Sequence, residues 1–160
     1  MKNKPQDGFS LIELLIVVAI IGIIAAIAIP NLLASRRAAN EGSAQSSLRT
    51  VHSAQVTYQA TAGGGAFAAD LATLRNQTLI DVVLGSGEKS GYEFEIVERA
   101  GSGATAVFGV YAFPSITTGV AQTGTRRFGT TEDGIMHGET DLSAEPNTIA
   151  EIRALPVLGN

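Results

Sequence analysis

Acid–base chemistry in this sequence would have to rest on carboxylates and on two histidines, because the chain contains no cysteine. Without cysteine there is no thiolate nucleophile, no disulfide and no Cys-based metal site. His52 and His137 lie far apart in the chain, and neither belongs to a recognisable nucleophile motif. These residue types argue against an enzyme.

A group of carboxylates near the C-terminus has the right chemistry for a hard cation. Calcium takes oxygen ligands, and several carboxylates close together can supply them. The same pattern is typical of a solvated charged surface, so we expect no cofactor, with calcium as the alternative. The residues concerned are Glu132, Asp133, Glu139 and Asp141.

Glu13 is the most unusual acid, because it lies within an apolar run. Residues 9–29 are apolar except for Ser10 and Glu13, and residues 14–29 are only Leu, Ile, Val, Ala or Gly. A carboxylate deep in a bilayer costs about 2.5–3.5 kcal/mol on insertion scales, so it is normally partnered and functional. The alternative is that Glu13 is close enough to the interface to reach water or to stay protonated.

The apolar run sets the class of protein. As a helix, residues 9–29 extend about 31 Å, which matches the roughly 30 Å hydrocarbon core of a bilayer.

The formal charge of −4 argues against a nucleic-acid partner. Arg126 and Arg127 together are better explained as a solvated strand edge.

The same helix is predicted to continue to residue 60. Ala44, Leu48, Val51 and Tyr58 form one apolar stripe at helical spacing, with Ala54 or Gln55 filling the gap. The wetter faces would carry the polar residues of this half: Arg36, Arg37, Glu41, Gln45 and Arg49. Three consecutive glycines, residues 63–65, then end the helix.

The rest of the chain predicts an α+β fold. Alternating or β-branched segments indicate four strands, and an Asp-Gly step indicates a hairpin between the last two. We expect an antiparallel sheet of about four strands, packed on the C-terminal half of the long helix. The predicted strands are residues 91–96, 106–113, 126–130 and 134–137; short helices or turns are expected at 68–75, 78–84 and 148–154.

Two ordinary explanations of the N-terminus fit incompletely. A secretory signal would be cleaved after the small-x-small residues 26–28, but the apolar run is longer than the usual 7–15 residues of such signals. A plain membrane anchor explains the length but gives no role to Glu13.

The N-terminus resembles that of the type IV pilin family. The resemblance rests on Gly8-Phe9-Ser10-Leu11-Ile12-Glu13, on the apolar run and on Pro30-Asn31. It implies that a prepilin peptidase cuts after Gly8 and methylates Phe9. The implied divisions are a leader (1–8), a transmembrane and filament-core half of the helix (9–30), an amphipathic half (31–62) and a globular head (63–160).

Cutting before Phe9 would create an α-amino group that is largely cationic at neutral pH. At about 4 Å and an effective dielectric near 20, this amine and Glu13 attract by roughly 4 kcal/mol before desolvation. The pair could form within one chain, as residues i and i+4, or between subunits, which the resemblance favours. Pro30 predicts a bend or local unwinding, and Gly22 adds a second weak point. The resemblance implies that residues 22–30 unwind in the filament.

The implied function is structural. The subunit would wait in the inner membrane with its N-terminus in the cytoplasm, then join a helical homopolymer at the cell surface. Its partners would be the lipid bilayer, the prepilin peptidase, and an inner-membrane assembly platform with its motor. A pseudopilin of a type II secretion system is the alternative within this class. A membrane-anchored binding domain is the alternative outside it.

Overall fold

The computed structural model describes residues 9–159, so the predicted leader and Gly8 lie outside the described residues. The chain divides into two compact units between Ser35 and Arg36. Helix α1 (Leu11–Ala60) begins in the first unit and is continuous into the second. The predicted long helix is therefore confirmed to within two residues at its start.

Helix α1 passes through Pro30 without interruption. Proline removes one backbone donor from a helix, and the side chain of Asn31 donates to the carbonyl of Ile27 at 3.0 Å in the adjacent turn. Local unwinding at Pro30, one of the two expected outcomes, is absent from this described helix. The loss of one hydrogen bond is too small to break a helix of 50 residues.

The predicted glycine breaker ends α1. Gly64 and Gly65 have φ values of +57° and +93°, in the left-handed region that favours glycine. The Gly63 amide donates to the carbonyl of Tyr58 at 2.7 Å, and the Gly65 amide donates to that of Gln59 at 3.1 Å. These bonds satisfy carbonyls that the end of the helix would otherwise leave unpaired.

The second unit contains an antiparallel five-stranded meander. Its strands, in both chain and spatial order, are β1 (Glu88–Lys89), β2 (Tyr92–Ala100), β3 (Val107–Pro114), β4 (Arg127–Thr131) and β5 (Met136–Glu139). The four predicted strands correspond to β2–β5. The fifth, β1, was not predicted because two residues carry no periodicity; it forms across a turn in which Ser90 and Gly91 both have positive φ.

Besides one turn of 3-10 helix (Gly103–Thr105), the unit contains three short α-helices: α2 (Leu71–Asn76), α3 (Val82–Gly85) and α4 (Ile149–Ala154). Each begins at a residue whose side chain accepts an amide hydrogen bond from the first turn: Asp70, Asp81 and Thr148. Such N-caps satisfy donors that helices this short cannot pair internally.

The core lies between the sheet and the C-terminal part of α1. Leu48 and Val51 of the helix are fully buried, as are Tyr92, Phe108 and Phe128 of the sheet. On β2, buried side chains alternate with exposed acids, as the sequence predicted. The predicted packing of helix against sheet is confirmed.

The opposite face of the sheet is also covered, which the sequence did not predict. A Cβ at Gly109 would lie 3.0 Å from the side chain of Ile152, and one at Gly129 would lie 2.8 Å from it. Helix α4 therefore packs where glycines leave room. Residues 156–158 then run beside β5, where the Pro156 carbonyl accepts the Gly138 amide and the Leu158 amide donates to the Met136 carbonyl, both at 2.9 Å.

Candidate functional site

The described N-terminal segment is apolar and exposed. Between residues 9 and 35 only Ala25 and Leu33 are half-buried, and the remaining residues are exposed. The most apolar 18 residues of α1 have a mean hydropathy of 3.1, and none of them is buried. By length and composition, α1 is therefore able to cross a membrane. Apolar surface on this scale needs lipid or another protein to cover it.

Glu13 lies at the start of this surface and is bonded to the local backbone. Its Oε2 atom accepts the amide hydrogen of Ser10 at 2.8 Å. A Glu that reaches back three residues to the amide before a helix is half of a capping box. The acid that looked out of place in an apolar run therefore caps α1.

This contact also holds the carboxylate near the predicted processing site. Phe9, whose side chain is 92% exposed, directly precedes Ser10. An amine formed at Phe9 would lie one residue from the amide that Glu13 already contacts. The local geometry is therefore compatible with an ion pair between Glu13 and this amine inside one chain. Both residues are exposed, so the same ion pair between two subunits is equally compatible with the structure.

Gly22 and Pro30 lie on the same exposed surface. A Cβ at Gly22 would meet no atom within 4 Å. No contact among the described residues therefore requires glycine there. Small residues let helices approach closely when they pack in lipid or in a bundle.

A second constellation joins α1 to the loop before β4, and it corrects the prediction that Glu41 faces water. Glu41 is buried. Its Oε1 accepts the amide of Thr125 at 2.8 Å and the hydroxyl of Thr125 at 2.6 Å, while its Oε2 accepts from Arg126 at 2.9 Å. Burial by itself raises the pKa of Glu41, but these hydrogen bonds outweigh it and lower the pKa below its ordinary value.

Both arginines of the predicted strand edge are paired. Arg126 contacts Glu41 and also stacks over the ring of Phe128, with 5.2 Å to its centroid. Arg127 pairs with Glu139. Both residues are therefore half-buried and ion-paired, rather than the fully solvated edge that the sequence predicted.

The acids considered for calcium have other partners. Glu132 pairs with Arg153, Glu139 with Arg127, and Asp133 accepts from the backbone of Ile135 at 2.9 Å in the β4–β5 turn. Within residues 9–159, no three His, Cys, Asp or Glu side chains are grouped so that they could hold a metal.

The two histidines contact backbone carbonyls at separate places. A ring nitrogen of His52 lies 3.3 Å from the carbonyl oxygen of Glu132, and one of His137 lies 2.7 Å from that of Leu155. The first contact ties the β4–β5 turn to α1, and the second ties the segment after α4 to β5.

Comparison with known proteins supports the N-terminal assignment. Residues 3–29 match the family described as the prokaryotic N-terminal methylation motif. The chain is 46% identical over 56 residues to the type IV major pilin protein PilA of Myxococcus xanthus, a match that covers 35% of this chain and 26% of the relative. It is 63% identical over 38 residues to the type IV wide pilus major component PilA4 of Thermus thermophilus, covering 24% of this chain and 29% of the relative.

A third relative belongs to a secretion system. The chain is 32% identical over 59 residues to the type II secretion system core protein G of Aeromonas hydrophila, covering 37% of this chain and 41% of the relative. The chain thus spans between about a quarter and two fifths of the length of these relatives. No solved structure is significantly similar to it. The N-terminal methylation motif, the exposed apolar helix and these relatives together support a type IV pilin family for this chain.

Proposed function

We propose that the chain is the structural subunit of a type IV pilus. In this proposal the prepilin peptidase cuts after Gly8 and methylates Phe9, and the apolar half of α1 polymerises into an extracellular helical filament. The supporting observation is the exposed apolar helix whose carboxylate, Glu13, is held beside the predicted new N-terminus.

The helix has two environments that can cover it. Before assembly the inner-membrane bilayer surrounds it, with the N-terminus in the cytoplasm. After assembly the same surface packs against identical helices in a heterologous, non-closing contact, which generates a fibre rather than a ring. Lipid and neighbouring helices are similarly apolar, so packing and the Glu13 pair decide the preference. An inner-membrane assembly platform and its motor supply the work of extraction.

The charged pair supplies axial register. An amine on Phe9 and the carboxylate of Glu13 would both be unpaired in an apolar bundle unless they meet. When they meet between subunits, they fix how far one helix slides past the next. Gly22 and Pro30 supply the soft segment that lets residues 22–30 unwind during this packing.

Intact-mass analysis of the native protein tests the proposal. We expect a chain that begins at Phe9 and is one methylene heavier than its sequence. Substitution Ala28→Leu is the matched control: it blocks a secretory cleavage after residue 28, and it leaves cleavage after Gly8 unchanged. A chain that still carries Met1, or one that begins at residue 29, contradicts the proposal.

The similarity to the Aeromonas protein favours a second candidate, a pseudopilin of a type II secretion system. Deletion of the gene separates the two. Loss of surface filaments with normal enzyme secretion supports the pilus, and loss of enzyme secretion supports the pseudopilin.

A further inference from the structure

The exposed side of α1 within the second unit carries a cation without a counter-charge. Residues 42–60 include one arginine, Arg49, and no acid. Arg49 is exposed and forms no ion pair with any residue between 9 and 159. It lines a groove of roughly 400 Å³ beside Leu79. Most of the other groove residues bear hydroxyl groups: Ser46, Thr50, Ser53 and Thr57.

The start of the sheet carries the opposite charge. Glu88 of β1 and Glu93 of β2 are direct cross-strand partners, so their side chains are neighbours on one face. Glu95 lies on the same face, because alternate residues of a strand point the same way. These three acids line a cleft of roughly 320 Å³, the acidic cleft. None of them is ion-paired in the described chain, and the adjacent Lys89 is paired with Asp81 at 3.0 Å.

Arg49 and the acidic cleft lie on opposite sides of the sheet. The buried residues Tyr92 and Phe94 belong to the core that β2 forms with α1, whereas Glu93 and Glu95 alternate with them on the other face. The sheet therefore separates the cleft from Arg49 within one chain, and a contact between them has to join two copies. A contact between two different surfaces is heterologous, so it does not end in a two-fold dimer and is compatible with a filament.

We propose that Arg49 of one copy enters the acidic cleft of a neighbouring copy and so links successive heads. The proposal rests on the filament proposed above, which places identical heads side by side. Charge complementarity selects the occupant, because one surface offers a cation and the other offers carboxylates. Arginine fits such a cleft, since its planar fork of N–H donors matches carboxylate geometry. Within residues 9–159 these acids are not grouped closely enough to hold a metal ion, which favours the larger guanidinium group.

The absence of cysteine from the sequence permits a direct test with paired cysteine variants of the full chain. R49C/E93C places one thiol on each surface. R49C/A104C is the matched control, because Ala104 is also exposed but lies in the 3-10 turn between β2 and β3. Filaments sheared from cells are treated with a short bis-maleimide cross-linker and separated on a denaturing gel. We expect a ladder of dimers, trimers and higher multimers from R49C/E93C, and monomers from the control and from each single-cysteine variant.

Charge reversal tests the same contact by filament yield. R49E should lower the yield about tenfold, because like charges facing each other across an interface repel. R49E/E93R should restore it, because the pair re-forms with the signs exchanged. R49E/E151R is the matched control: it has the same net charge, but Glu151 is an exposed acid on α4, outside the cleft. Circular dichroism first confirms that each variant folds.

The outcomes separate this contact from the proposed function. If the wild type forms filaments but R49C/E93C gives no more multimer than R49C/A104C, or R49E assembles normally, the head contact is wrong and the pilus proposal stands. If the wild type forms no filament, the pilus proposal fails and the contact fails with it. Dimers from either single-cysteine variant would show that like surfaces meet, and would also overturn the contact. If R49C/E93C does not assemble, the charge reversal decides, and failure of E93R to rescue R49E contradicts the proposal.

Discussion

The carboxylate of Glu41 accepts both hydrogen bonds that Thr125 can donate, from its amide at 2.8 Å and from its hydroxyl at 2.6 Å. The two residues are 84 positions apart in the chain, so this contact closes a long loop onto α1. Arg126 neutralises the other oxygen of the same carboxylate at 2.9 Å. A single side chain on α1 thereby holds the two residues that immediately precede β4.

Glu41→Gln should destabilise the head and remove part of its acid sensitivity. We expect a loss of about 2–3 kcal/mol near neutral pH, because an amide cannot accept as strongly and leaves Arg126 without its charge partner. The pKa of Glu41 is lowered in the folded chain from its ordinary value of 4.5. Its stabilisation is therefore complete above pH 4.5 and declines as the pH falls through the folded-state pKa.

The measurement is thermal unfolding of the full chain in detergent micelles at several pH values. Glu93→Gln is the control, since Glu93 is exposed on β2. The stability difference between wild type and Glu41→Gln should shrink on acidification, whereas Glu93→Gln should follow the wild type. Equal differences at pH 7 and pH 3 would show that the carboxylate charge of Glu41 is not what stabilises the contact.

Gln55→Leu should be strongly destabilising although it makes the core more apolar. Gln55 is fully buried, accepts the amide of Ala68 at 2.7 Å and donates to the carbonyl of Ala68 at 3.1 Å. Leucine would leave both backbone groups unsatisfied, at a cost of about 2–4 kcal/mol. Urea unfolding measures this cost, with the half-buried Gln45→Leu on the same helix as control. A neutral Gln55→Leu would mean that water can replace the pair.

Two Gly→Ala substitutions should change stability in opposite directions. A Cβ at Gly124 would lie 1.9 Å from the hydroxyl of Tyr92, which donates to the Arg126 carbonyl at 2.8 Å. Gly124→Ala should therefore cost about 2–4 kcal/mol through overpacking and the lost bond. A Cβ at Gly42 meets nothing within 4 Å on α1, so Gly42→Ala should stabilise by about 1 kcal/mol. Melting temperatures of both variants check the signs.

Glu13→Ala should leave membrane insertion intact and impair filament growth, because the α-amino group that the proposed cleavage creates at Phe9 would then lack its counter-charge in the bundle. Ser10→Ala is the control, since Glu13 contacts the backbone amide of Ser10 rather than its hydroxyl. Membrane fractionation measures insertion, and electron microscopy counts filaments. Filaments of normal number and length from Glu13→Ala would refute the role of this charge in register.

Local patterns predicted most of the secondary structure. Helical spacing indicated α1, glycines marked its end, and alternation indicated β2 and the strands after it. These signals were sufficient because each depends on residues close in sequence. The strand β1 escaped prediction because its two residues adopt extended backbone only through pairing with β2.

Contacts between distant residues could not be predicted in the same way. The helical pattern assigned Glu41 to a wetter face, yet Glu41 is buried, since Thr125 satisfies its carboxylate. The pattern did allow Gln55 on the buried stripe, but it could not show that the backbone of Ala68 satisfies its amide. The packing of α4 on the second face of the sheet was indicated only weakly in the sequence, by the glycines at positions 109 and 129. Their missing side chains make room for Ile152.

The amino-acid sequence by itself determined that this protein has a membrane-length apolar helix with one carboxylate near its start, because hydropathy and spacing act over a few helical turns. Only the tertiary structure decided which polar residues of that helix are buried and where the β3–β4 loop is fastened. Burial of a polar group depends on a partner brought from far along the chain, and no local pattern records that partner.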